Sequence, residues 1–298
     1  MEYLDRWFEY EKNFNAEPSL RWHVEMTDIP IITIAVYLAI VFGVPKILKK
    51  PLPLKSVFAV WNLGLSVFSI IGVTRVVPHL YNTIQKRGFE YSICETPMNW
   101  YAHGPVGLWM MLFIYSKIPE LCDTFFLVLR GKKVIFLHWF HHVTVLLYCW
   151  HAYHTKIASG IWFAAMNYSV HSVMYFYYFM ANIGCYHIVR PFAILITIGQ
   201  ISQMVGGLTV LLNARRISQG GRFCDNDAAN VRLGLAMYFS YFLLFCFLFY
   251  EKYMVKKINQ SIPQGCVDDI AKVDTSGMFR SDQNASSTYL KAMDKKKK

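Results

Sequence analysis

Three histidines stand close together in an otherwise apolar stretch of this chain. His138, His141 and His142 are spaced i, i+3, i+4, so a helix would present all three imidazoles on one face. Imidazole suits acid–base or nucleophilic work near neutral pH, and the same spacing suits metal ligation. Polar groups in a stretch this hydrophobic are costly unless they face a cavity. The segment therefore predicts a catalytic site inside a bundle of helices.

Polar side chains recur at helical spacing in the neighbouring apolar stretches. They are Lys117, Glu120, Asp123 and Arg130, then Asn167, His171 and Tyr175, then Thr197, Gln200 and Gln203. If consecutive stretches cross a membrane in alternating directions, these groups share the depth of the histidines. The other halves of the stretches are almost entirely apolar. A polar pocket continued by an apolar slot suits a substrate with a charged head and a long hydrocarbon tail.

The elements that must position these groups are membrane-spanning helices. Hydrophobic residues make up 55% of the 298 residues. Seven apolar runs of about 17–22 residues are each long enough to cross a bilayer. The runs cover residues 29–46, 56–74, 105–130, 134–150, 161–181, 192–212 and 233–251. We expect an all-α polytopic membrane protein with seven transmembrane helices around a central tunnel. The net charge of +11 fits attraction to anionic headgroups and does not call for nucleic acid.

The chain divides into three predicted parts. Residues 1–28 form an N-terminal arm, residues 29–255 the membrane domain, and residues 256–298 a polar, disordered tail. The final lysines resemble a cytosolic dilysine retrieval signal of the endoplasmic reticulum. This places the tail in the cytosol and the arm in the lumen. Cys94 and Cys224 then share the oxidising side, where they form either a disulfide or two free thiols.

Five ordered motifs resemble the very-long-chain fatty acid elongases. They are KIPELCDTF at 117–125, LHWFHH at 137–142, NYSVH at 167–171, MYFYY at 174–178 and TxxQxxQ at 197–203. The resemblance covers roughly residues 30–255. The segments FLHW at 136–139 and TVLLY at 144–148 are most similar to the branch that extends saturated and monounsaturated long-chain acyl groups.

The resemblance implies a 3-oxoacyl-CoA synthase of the endoplasmic reticulum. Such an enzyme joins a long-chain acyl-CoA to malonyl-CoA, releases CO2 and CoA, and uses no metal or cofactor besides these substrates. Membrane lipid surrounds it, and the other enzymes of the elongation cycle or a second copy of the chain are further expected partners. Nucleic acid is not expected.

Each candidate residue receives a role under this hypothesis. His141 attacks the thioester, and His138 and His142 orient it and move protons. The remaining catalytic candidates are Asp123, which fixes an imidazole tautomer, and Asn167, His171 and Gln203, which polarise the malonyl carbonyls. The substrate-binding candidates are Lys117, Arg130, Lys132 and Lys133 for the CoA phosphates, with Tyr175, Tyr178, Thr197 and Gln200. Trp150, Trp162 and residues near Leu208 are expected to close the far end of the slot.

Other hypotheses remain open at the level of sequence. A metal-dependent lipid oxygenase or desaturase would use the histidines as ligands, and a receptor or lipid transporter would also suit seven spans. Cys122 or Cys149 could replace histidine as the nucleophile. Glu120 and Asp123 could simply pair with neighbouring cations, and the two glutamines could join helices by hydrogen bonds.

Overall fold

The structure, a computed structural model, describes residues 2–255. Within this range the chain is helical and contains no β-strand, which confirms the all-α class. Four regions are long and apolar enough to cross a membrane, namely Asp28–Ile47, Lys55–Cys94, Tyr186–Gln219 and Ala228–Met254. The chain is therefore a multi-pass membrane protein. The predicted disordered tail and its lysine end, at 256–298, lie outside the described residues.

The helices of the described residues are numbered in chain order. They are α1 (Glu2–Lys12), α2 (Glu17–Glu25), α3 (Asp28–Ile47), α4 (Lys55–Cys94), α5 (Gly104–Ser116), α6 (Cys122–Leu129), α7 (Phe136–His154), α8 (Gly160–Asn182), α9 (Tyr186–Val189), α10 (Ala193–Gln219) and α11 (Ala228–Phe249). All of them belong to one compact unit that ends at Phe249. Residues Tyr250–Val255 form a short π-helical segment. Each predicted apolar run coincides with one of the long helices or with the pair α5 and α6.

The third predicted span is not one uninterrupted helix. α5 ends at Ser116, a 3-10 turn covers Pro119–Leu121, and α6 begins at Cys122. Pro119 has no backbone N–H to donate, so an α-helix through this point would lose a hydrogen bond and clash with the preceding turn. The interruption places the polar side chains of 117–123 at a break inside the bundle.

α4 is much longer than the predicted run at 56–74, because it continues to Cys94. Gly88 interrupts its helical geometry with φ of +85°, a conformation that glycine adopts without strain. α4 packs along α8, and the two helices approach closely at Gly72, where a Cβ atom would lie 2.5 Å from the ring of Tyr168. The Tyr168 hydroxyl donates to the carbonyl of Trp109 at 2.8 Å. This contact joins α4, α5 and α8.

The two ends of the bundle are held differently. At one end the sulfurs of Cys94 and Cys224 form a disulfide between the end of α4 and the connection before α11. Beside it, the Asn226 side chain donates to the carbonyl of Ile93 at 2.7 Å and accepts from the Ser159 hydroxyl at 2.7 Å. At the opposite end the Leu52 amide donates to the carbonyl of Leu129 at 2.8 Å.

Candidate active site on the histidine helix

The three motif histidines lie together at the start of α7. The ring centroids of His138 and His142 are 4.6 Å apart, and those of His141 and His142 are 5.5 Å apart. The helix begins after Ile135, whose extended backbone (ψ of 157°) ends the preceding connection. The i, i+3, i+4 spacing thus brings the imidazoles within contact of one another.

His138 faces a neighbouring helix rather than an open space. Its Nε2 lies 2.9 Å from the hydroxyl of Thr124, a fully buried residue of α6. The Thr124 hydroxyl lies 2.9 Å from the hydroxyl of Tyr37 on α3. This chain of three polar groups ties α3, α6 and α7 together and fixes the orientation of the His138 ring.

Asp123 stands next to Thr124 and makes different contacts from those expected. Its Oδ1 accepts from the Trp61 indole N–H at 2.6 Å, and its Oδ2 accepts from the Tyr175 hydroxyl at 2.6 Å. The sequence analysis predicted an Asp123–imidazole contact. The structure corrects this, because Thr124 occupies the position beside His138 while Asp123 points toward α4 and α8.

A second polar network is centred on Lys117. The Lys117 ammonium donates to Glu120 Oε1 at 2.7 Å and to Asn167 Oδ1 at 3.2 Å, and Ser116 also donates to Glu120 at 2.8 Å. The Asn167 amide nitrogen lies 3.1 Å from Nε2 of His171. Lys117 is only 2% exposed. This burial argues against the predicted contact with CoA phosphates and favours the ion pair with Glu120 that the spacing had left open.

His141 lines a largely apolar cavity. Asn167 and Gln203 share this lining, so one catalytic candidate from each of α7, α8 and α10 reaches the same space. His138 and His142 are not part of the lining. The cavity then follows α7 from His141 towards Ala152, a distance of about 16 Å along the helix axis.

The end of the cavity far from His141 is lined by residues that were not predicted from the sequence. They are Ala16, Leu20, Met98, Ala102, Tyr153 and Lys156. The predicted end residues lie elsewhere: the Trp150 ring stacks on His23 with 4.1 Å between centroids, and the Trp162 indole donates to Ser92 at 3.0 Å. Leu208 is not in the lining, although it packs against a hydrophobic cluster that includes the lining residues Met204 and Tyr238. Trp150, Trp162 and Leu208 are therefore outside the lining, and Leu20 of α2 lies in it instead.

The other substrate-binding candidates do not meet in the cavity. The Tyr175 hydroxyl donates to Asp123, and Tyr178 is 40% exposed. Thr197 donates to the carbonyl of Ala193 on its own helix, and Gln200 donates to the sulfur of Met174. The basic candidates lie in or near the connection between α6 and α7. The Arg130 guanidinium stands 4.9 Å from the Phe58 ring centroid, while Lys132 and Lys133 are exposed.

Tyr241 on α11 is a site residue that the sequence analysis missed. Its hydroxyl lies 2.5 Å from the Thr144 hydroxyl and donates to the backbone carbonyl of His141 at 3.2 Å. Tyr241 also lines the cavity. The sequence did not indicate a role for Tyr241, because α11 has no polar residues at regular helical spacing. An aromatic residue in an apolar span is usually a packing residue. Cys149, a buried free thiol, lines the cavity as well.

Across residues 2–255, no group of three or more His, Cys, Asp or Glu side chains is arranged to hold a metal ion. The ion pair and hydrogen bonds described above occupy Lys117, Glu120 and Asp123 with partners inside the protein. The arrangement can therefore offer the imidazole of His141 and the side-chain amides of Asn167 and Gln203 to a substrate that enters the cavity.

Comparison with known proteins gives a consistent result. The profile of the GNS1/SUR4 (ELO) family matches residues 22–261. "Very long chain fatty acid elongase 4" of Trypanosoma cruzi (strain CL Brener) is 44% identical over 259 residues, covering 85% of this chain and 90% of that protein. "Fatty acid elongase 3" of Trypanosoma brucei brucei is 42% identical and covers 85% of this chain and 93% of the relative. "Very long chain fatty acid elongase 6" of Gallus gallus is 39% identical, with coverage of 84% and 93%.

Proposed function

This chain belongs to the ELO (GNS1/SUR4) family and is a fatty acid elongase, and we propose that it works through an acyl-imidazole formed on His141. An elongase of this family is a 3-oxoacyl-CoA synthase, which takes acyl-CoA and malonyl-CoA as substrates. The proposal concerns the chemistry of condensation, the residues that perform it and the long-chain class of the acyl group.

The observation that carries the proposal is the position of His141. Of the three motif imidazoles, His141 is the one that lines the cavity, and the apolar wall beyond it suits a hydrocarbon chain. A substrate whose chain lies along α7 would hold its thioester beside this ring. His138 and His142 stand behind it, where they can orient the nucleophile and pass protons.

In the first half-reaction, the unprotonated ring nitrogen of His141 attacks the thioester carbonyl. A C–N bond forms, the C–S bond breaks, and CoA leaves as the thiolate and takes up a proton. The chain remains in the cavity as an acyl-imidazole, a reactive acyl donor.

In the second half-reaction, malonyl-CoA occupies the site that CoA has vacated. Its carboxylate leaves as CO2, and the electron pair of the broken C–C bond forms an enolate at the adjacent carbon. This carbon attacks the acyl carbonyl, and the C–N bond breaks. The departing His141 nitrogen takes up a proton from water, which restores the neutral ring, and the product is a 3-oxoacyl-CoA two carbons longer. We assign to Asn167 and Gln203, which both line the cavity, the hydrogen bonds to the enolate oxygen.

The Lys117 network would act on this step from outside the cavity. Lys117 donates to Asn167 Oδ1, which leaves the Asn167 amide nitrogen directed at His171. The network thereby fixes the orientation of the amide that faces the substrate. Glu120 balances the buried charge of Lys117.

The same proposal includes a topology of seven spans in the membrane of the endoplasmic reticulum. The broken pair α5 and α6, together with α7 and α8, would add three spans to the four that length and composition indicate. Their polar interior residues lower the hydropathy of α7 and α8. The arm would then lie on the lumenal side, and the connections at 48–54 and 130–135 would face the cytosol, where CoA esters are found.

The proposal is tested by radiolabelled malonyl-CoA incorporation with a series of acyl-CoAs. We expect His141→Gln to lose turnover while the folded protein remains, and His154→Gln, near the other end of α7, to keep it. Turnover by His141→Gln close to that of wild type would remove His141 from the mechanism. Iron or zinc analysis of the active protein tests the metal-dependent alternative, and any turnover lost with the metal would favour it.

A further inference from the structure

The N-terminal helix α1 carries a row of large apolar side chains exposed at its surface. Tyr3 is 87% exposed, Leu4 61% and Phe8 51%, and Trp7 is 42% exposed. Tyr3, Trp7 and Glu11 follow one another at intervals of four residues, and Leu4 and Phe8 lie beside them on the same face. Asp5, Arg6 and Glu9 occupy the opposite face, so α1 is amphipathic.

Glu11 shows which way the apolar face points. This carboxylate is 2% exposed and accepts hydrogen bonds from Arg75 Nε at 2.8 Å, from Arg75 Nη2 at 3.0 Å and from the Trp109 indole at 2.6 Å. The Arg75 guanidinium also stands 6.0 Å from the Phe8 ring centroid. The face of α1 that bears Glu11 and Phe8 is thus turned towards the bundle, and Tyr3 extends about 12 Å beyond Glu11 along the helix.

Arg75 fixes the depth at which α1 is attached. Lys55 begins α4, and the next charged residue of that helix is Arg75, twenty residues later. This interval corresponds to about 30 Å of helix, which is the thickness of the hydrocarbon core of a bilayer. This spacing would place Arg75 at the membrane boundary opposite the connection at 48–54, and the ion pair would hold α1 at that boundary.

We propose that α1 is an interfacial helix whose apolar face lies in the phospholipid surface on this side of the membrane. Aromatic side chains such as Tyr3 and Trp7 favour the level of the headgroups, and an amphipathic helix buries its apolar face at the boundary with the acyl chains. Trp22 of α2 and Ile31 of the candidate span α3 also expose large apolar side chains. This proposal is independent of the catalytic one.

Photocrosslinking in the full chain tests the proposal. Benzoylphenylalanine replaces Leu4 on the apolar face or, as the matched control, Glu9 on the opposite face, and the protein is reconstituted into phosphatidylcholine vesicles. We expect phosphatidylcholine adducts, detected by intact mass, at several-fold higher yield from position 4 than from position 9. If the variant at Leu4 does not accumulate, the probe at Tyr3 gives the same comparison.

Three results would overturn the proposal. Equal lipid adducts at the two positions would mean that the faces are not distinguished by the membrane. No adduct at position 4 would place this face in water. A covalent dimer formed at position 4, in place of lipid adducts, would assign the face to a second copy of the chain.

Discussion

Tyr241 and His141 lie ring against ring, with 5.0 Å between their centroids, although they belong to α11 and α7. The Tyr241 hydroxyl reaches the backbone carbonyl of His141 and the hydroxyl of Thr144, one turn further along α7. A side chain from α11 therefore packs directly against the proposed nucleophile.

This contact predicts a catalytic effect of Tyr241→Phe. The substitution keeps the ring and removes hydrogen bonds worth about 1 kcal/mol, which corresponds to roughly a fivefold change in rate if the ring position is lost in the transition state. We expect a lower kcat with little change in the KM for malonyl-CoA, measured in the condensation assay. Tyr238→Phe is the control, because Tyr238 also lines the cavity but packs on Phe163. Equal losses in the two variants would contradict a specific role of Tyr241.

The close approach of α4 and α8 predicts a stability effect. Gly72→Ala places a Cβ 2.5 Å from the Tyr168 ring, an overlap that we expect to cost about 1–3 kcal/mol. Gly64→Ala is the matched control on the same helix, because a Cβ there meets nothing within 4 Å. Thermal unfolding in detergent should show a lower Tm for Gly72→Ala alone. The same Tm for both variants would refute the packing of Tyr168 on Gly72.

The burial of Lys117 allows two roles to be distinguished, namely an ion pair with Glu120 and the predicted binding of CoA phosphates. Lys117→Gln leaves Glu120 charged and without its partner inside the bundle, a change that costs about 3–5 kcal/mol in comparable cases. We expect a large loss of stability and of kcat. Lys132→Gln, in the exposed connection before α7, should instead raise the KM for the CoA esters with the fold intact. A stable Lys117→Gln variant with only a raised KM would restore the phosphate role.

The residues at the far end of the cavity are expected to influence the length of the acyl chains that are produced. Leu20 lines the far end, so Leu20→Ala should lengthen the cavity and shift the products towards longer acyl chains. Leu208→Ala removes the same atoms from a position outside the lining and should leave the product distribution unchanged. Chromatography of the released acyl chains measures both. A shift in Leu208→Ala without one in Leu20→Ala would contradict this end of the cavity.

The sequence alone predicted the parts of the site that depend on the regular spacing of residues along a helix. Apolar runs located the long helices, and helical spacing brought His138, His141 and His142 together and paired Asn167 with His171. These features are local, because residues three or four apart on a helix are neighbours whatever the tertiary fold.

The remaining parts depend on contacts between helices distant in sequence. The partners of His138 and Asp123, namely Thr124, Trp61 and Tyr175, are set by the way α4, α6 and α8 cross. Leu20 reaches the cavity because α2 packs back across the bundle. Such contacts cannot be deduced from hydropathy or from residue spacing, so Thr124 and Tyr241 could not be distinguished from ordinary packing residues.

The covalent step on His141 is tested most directly by intact mass spectrometry after incubation with palmitoyl-CoA alone, without malonyl-CoA. We expect a mass increase of one palmitoyl group in place of one hydrogen, mapped to the peptide that contains His141. This adduct should form in Cys149→Ala and not in His141→Gln, and malonyl-CoA should discharge it. Fully active wild-type protein that forms no adduct, or an adduct on Cys149, would contradict a covalent intermediate on His141.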